Sequence, residues 1–97
     1  MQLEKGCYTL CGGFKVRWEW DTDNKKVVIK LYWNYTRLGQ WLMDTTANCV
    51  SIGFSFKGSI AELHFCTDWT EQALVLNGTI ESIRCTKKFT DVTIFSL

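Results

Sequence analysis

Residues 14–21 read FKVRWEWD. Phe14, Val16, Trp18 and Trp20 are apolar, and Lys15, Arg17, Glu19 and Asp21 between them are charged. A period of two is the mark of an extended strand with one buried face and one wet face. The pattern recurs. VVIKLYWNY puts Val27, Ile29, Leu31, Trp33 and Tyr35 on one side, and CVSIGFSF does the same with Val50, Ile52, Phe54 and Phe56. AELHF adds Ala61, Leu63 and Phe65. A chain that repeats this alternation is committed to sheets, and its composition agrees. Threonine, valine, isoleucine and aromatics are frequent and proline is absent, which suits a pleated, half-buried surface.

Turn signals separate the runs. DTDN (21–24), TRLG (36–39), DTTAN (44–48) and KGS (57–59) are rich in residues that favour turns. Asn77-Gly78 in LVLNGTIES reads as a hairpin, because both residues tolerate positive φ. CTKKFTD (85–91) then precedes a last strand, VTIFS. The expectation is an all-β single domain over residues 1–97. It is an antiparallel meander of about eight or nine short strands, closed as a barrel or folded as a two-sheet sandwich. One local alternative stands: Asp68-Trp69-Thr70-Glu71 fits a helix N-cap, which would make residues 69–77 a short helix. In outline, though in no diagnostic motif, the meander resembles calycin-type barrels and small lectin sandwiches, and such likeness does not fix function.

The formal net charge is +1 and the basic residues form no block, since Glu4, Glu19, Asp21, Asp23 and Asp44 are mixed among them. Nucleic-acid binding leans on a clustered positive field, so no nucleic-acid partner is expected. No apolar run approaches the roughly 20 residues of a membrane helix. No basic-then-apolar leader opens the chain, so Met1 reads as a true or processed start.

There are five cysteines: Cys7, Cys11, Cys49, Cys66 and Cys85. The odd number and the lack of paired CxxC motifs argue against a disulfide framework and a structural zinc site. They read as small hydrophobes in a reducing, cytoplasmic compartment. The alternative is secretion, because Asn34 and Asn77 both sit in glycosylation-type sequons, NYT and NGT.

The one histidine lies in HFCTD, residues 64–68. On a strand, Leu63 and Phe65 face the core, while Glu62, His64, Cys66 and Asp68 share the outer face. His64 and Cys66 are the metal or redox candidates, but a metal needs three or four converging ligands. A catalytic Cys–His pair needs contact and an orienting third group. Glu19 and Glu62 are the remaining carboxylate pair for acid–base work. The preferred reading is a polar outer face with no catalytic residues, no metal and no cofactor.

Five tryptophans supply the functional hint. Trp18, Trp20 and Trp33 fall in the apolar phase of their strands. Trp41 follows TRLGQ and Trp69 lies in TDWTEQ, both polar surroundings. Exposed aromatics offer flat apolar faces with a polar handle, and Tyr32, Asn34, Asp68 and Gln72 supply polar groups nearby. The expected function is a non-catalytic module that binds a carbohydrate or other small ligand through these six residues. The alternative is a protein-interaction module, such as an inhibitor, effector or homo-oligomer-building subunit (a homodimer, for instance), that uses exposed aromatics or an edge strand.

Overall fold

The computed structural model describes residues 3–83 and 85–97, so the reading of Met1 lies outside the described residues. Eight strands follow one another: β1 (Leu3–Cys11), β2 (Phe14–Asp21), β3 (Lys26–Trp33), β4 (Thr36–Asp44), β5 (Cys49–Phe56), β6 (Ser59–Asp68), β7 (Ala73–Glu81) and β8 (Thr86–Ser96). They pair antiparallel in two four-stranded sheets of order β1-β2-β3-β4 and β5-β6-β7-β8. Each sheet is a meander, as the short loops require. The all-β expectation holds, and the two hydrogen-bonded sheets make the architecture a sandwich.

The alternating residues explain the stacking. Phe14, Val16, Trp18, Trp20, Val27, Ile29, Leu31 and Met43 come from the first sheet. Ile52, Ala61, Leu63, Phe65, Leu74, Leu76, Ile80 and Phe89 come from the second, and the two sets form one buried cluster. Neither sheet could hide this apolar face alone, so each serves as the other's cover. Leu63 and Phe65 are inside while Glu62, His64 and Asp68 are exposed, as the alternation requires.

Several local expectations are overturned. Asn77-Gly78 is no hairpin; both residues lie within β7. The backbone of β6 presses against Gly78, where a Cβ would sit 2.0 Å from the Glu62 carbonyl oxygen, at φ +133°. Glycine is required there by close approach, not by a reversal. Asn77 supports a bulge instead: its Oδ1 accepts the Asp91 N–H at 2.8 Å, where β8 carries one residue more than β7 between paired positions. TRLG is likewise part of β4, and the reversal is Asn34-Tyr35, with Asn34 at φ 53°. Gly39 makes room for the Trp41 indole lying across it. CTKKFTD falls largely within β8.

No helix forms at 69–77. Asp68 Oδ1 accepts the N–H groups of Thr70 and Glu71, as an N-cap would. Gln72 then takes φ 52°, which reverses the chain into β7. The reduced-cysteine expectation fails too, because Cys11 bonds to Cys85 and Cys49 to Cys66, leaving Cys7 exposed as a free thiol.

Candidate ligand-binding site

The six residues expected to bind a ligand do not assemble. Asp68, the last residue of β6, and Trp69 and Gln72, in the β6–β7 turn, sit at one end of the sandwich. The Asp68 carboxylate caps its turn, and the Gln72 backbone carbonyl accepts the Leu97 N–H at 3.0 Å. The Trp69 indole packs on Trp20 and donates its N–H to the Asp44 carbonyl at 3.2 Å. Trp69 is therefore a plug between the sheets. Trp41 lies half-buried on β4, packed against the core. Tyr32 points outward from β3 beneath the Arg17 guanidinium, 5.0 Å from the ring centroid. Asn34 lies at the other end, in the β3–β4 turn.

The catalytic and metal candidates are also resolved. His64 Nδ1 shares a 2.8 Å hydrogen bond with Ser51 Oγ on the neighbouring strand. Cys66 is held in a disulfide and offers no thiolate. No group of three metal-ligating side chains exists among the described residues. Glu19 and Glu62 stand on different sheets, so they form no acid–base pair. The perturbed carboxylates serve turns. Asp21 is held below its ordinary value by hydrogen bonds from the Asn24 side chain and backbone. Asp44 is lowered by the Ala47 and Thr46 N–H groups.

Asn34 belongs to a different constellation, at the end where the β1–β2, β3–β4, β5–β6 and β7–β8 connections meet. A cleft of about 520 Å³ opens there, lined by Gly12, Trp33, Asn34, Lys57, Ser59 and Ser82 among others. The sequence builds it locally. Gly12 and Gly13 take φ 61° and 89°, a tight two-residue reversal between directly paired Cys11 and Phe14. Without side chains they leave the cleft floor open. The Gly13 carbonyl accepts the Asn34 N–H at 2.9 Å, joining two turns. The Cys11–Cys85 disulfide ties the end of β1 to the segment before β8. Trp33 forms a wall: its ring meets Phe56 edge-on at 5.4 Å, and Lys57 Nζ lies 5.6 Å from its centroid.

This cleft was missed in the sequence because Trp33 shares the apolar phase of β3 and reads as core. It stands on the last residue of that strand, where the partner sheet no longer covers it fully. The available signal was the pair Gly12-Gly13, a hairpin dipeptide in its own right. No family model, curated protein or solved structure matches the chain.

Proposed function

We propose that the chain is a non-catalytic binding module for a carbohydrate or another small ligand, held in the end cleft. The supporting observation is the make-up of that cleft. A tryptophan wall stands beside an amide, two serines, an ammonium group and glycine backbone. A sugar combines an apolar C–H face with a rim of hydroxyls, which an aromatic face flanked by hydrogen-bonding groups can match. Among the earlier candidates Asn34 keeps its assignment here. Trp69, Asp68 and Gln72 are better understood as structural.

The test is a glycan-array screen followed by calorimetry on the best saccharide. Asn34→Gly keeps the turn conformation and removes the amide; Ser82→Ala removes a hydroxyl. Together they are expected to weaken binding at least tenfold with little change in melting temperature. Unchanged affinity in this double variant overturns the assignment.

A second reading has its own support. The edge strand β4 exposes Leu42, 57% accessible, beside the half-buried Trp41, and its outer backbone groups have no strand partner. A protein partner or a second copy would extend this edge. A dimer mass in size-exclusion chromatography, lost in Leu42→Lys, favours the second copy; a monomer at all concentrations removes that occupant and leaves only a different protein partner. The two disulfides support an oxidising compartment, the secreted alternative, over the cytoplasm.

A further inference from the structure

Cations and carboxylates alternate along the sequence, but strand pairing sorts them. Across the outer face of the first sheet, one row runs Cys7, Arg17, Lys30 and Gln40, and the next Thr9, Lys15, Tyr32 and Arg37. Four cations occupy these eight positions and no carboxylate does. Arg17 and Lys30 stand directly opposite each other, an arrangement that works against sheet stability. Lys30 reaches Glu19 at 3.5 Å. Arg17, Lys15 and Arg37 have no carboxylate in ion-pair range among the described residues. Arg17 rests on Tyr32, Lys15 lies 5.8 Å from the Tyr35 centroid, and Arg37 donates to Gln40 Oε1. In the opposite sheet β5, β6 and β7 contain no lysine or arginine and expose Glu62, Asp68 and Glu81, and the cations of its strands, Lys87 and Lys88, lie on the edge strand β8. The cationic rows of the first sheet thus have no counterpart on β5–β7, although the net charge is only +1.

The basic face adjoins the end cleft through shared lining residues. A groove of about 420 Å³ runs across it, lined by Lys5, Cys7, Arg17, Glu19, Lys30 and Tyr32. A smaller groove, about 260 Å³, contains Thr9, Lys15 and Tyr35, and it shares Gly13 and Asn34 with the cleft. We infer that the ligand is an acidic oligosaccharide, with one residue in the cleft and its carboxylate or sulfate groups on Lys15, Arg17, Lys30 and Arg37. This rests on the cleft being a saccharide site. Guanidinium groups suit such oxyanions because their paired N–H donors match two oxygens. The patch is bounded by Glu19, Asp21 and Asp44 on the same face. A nucleic acid would need a longer uninterrupted positive field, so the short patch favours a saccharide.

The experiment is calorimetric titration with tetragalacturonate and, in parallel, its full methyl ester, which removes the charge and keeps the sugar. The acid is expected to bind at least tenfold tighter than the ester at 50 mM salt, and the advantage should shrink at 300 mM. Arg17→Gln/Arg37→Gln should lower affinity for the acid about tenfold and leave the ester unchanged. Arg17→Lys/Arg37→Lys should retain part of it, and circular dichroism checks that each variant folds. Equal binding of acid and ester overturns the charge inference and leaves the cleft reading standing. Binding of neither overturns both. A thymidine octamer that binds more tightly than the tetramer overturns the saccharide assignment.

Discussion

Trp69 lies against Trp20 with ring centroids 4.7 Å apart and planes inclined at 48°. Trp20 is fully buried, so a residue from a polar turn of one sheet closes the end of the core built by the other. The indole N–H adds the bond to Asp44. Trp69→Ala should destabilise by about 2–4 kcal/mol, a little below the range for a core aromatic because Trp69 is half-buried. Trp69→Phe should cost less, keeping the ring contact and losing the hydrogen bond. Urea unfolding measures both, and saccharide affinity should be unaffected in either variant.

Gly78 is the most constrained backbone position. With a Cβ 2.0 Å from the Glu62 carbonyl oxygen and φ at +133°, Gly78→Ala must push β6 and β7 apart. A loss of more than about 3 kcal/mol, or failure to fold, is expected, above the usual range for point substitutions. Asn77→Ala should cost only about 0.5–1 kcal/mol, because the exposed Asp91 N–H turns to water once its acceptor is removed. Thermal melts of the two variants check the ranking.

The disulfides should matter unequally. In the chain-entropy account, closing 17 residues between Cys49 and Cys66 is worth about 3 kcal/mol, and closing 74 between Cys11 and Cys85 about 4.5 kcal/mol. Cys11→Ala/Cys85→Ala should therefore lower stability more than Cys49→Ala/Cys66→Ala. It should also weaken saccharide binding, because Cys85 anchors the cleft end. A free-thiol count of one on the denatured, unreduced chain checks that two disulfides form, and peptide mapping without reduction checks which cysteines they join.

Asp44 makes stability depend on acid. Its folded-state pKa lies below the unfolded value because the Ala47 and Thr46 N–H groups bind the carboxylate. The contribution is fully present above the unfolded value and is lost as pH falls through the folded one. Unfolding free energy should hold level from pH 7 to about 4 and decline below. In Asp44→Asn the decline should be shallower, since one of the two lowered turn carboxylates is gone. An equally steep acid limb in this variant would count against the turn as its source.

The strands were legible where both faces obeyed the alternation. β2 and β5 were readable at their observed bounds, 14–21 and 49–56, because burial on one side and water on the other leave no ambiguity of register. β4 was not, because it is an edge strand with a bulge, and its Gly39 imitates a turn while seating Trp41. Asn77-Gly78 misled for the same reason: a dipeptide signals local φ preference, whereas here a neighbouring strand dictates the residue. The cysteine pairs join residues 74 and 17 positions apart, and spacing carries no record of which strands become neighbours. The basic face was hidden similarly. Lys15 and Arg17 precede Glu19 and Asp21 in one strand, and only pairing with β3 and β4 gathers cations at one end.

The most direct test of the account is amide chemical-shift mapping by NMR during titration with tetragalacturonate. The predicted result is a saturable set of shifts centred on Gly12, Gly13, Asn34, Ser59 and Ser82 and extending to Lys15 and Arg17. Shifts centred on Ser51 and His64, on the opposite face, would contradict it, as would a spectrum unchanged at millimolar ligand.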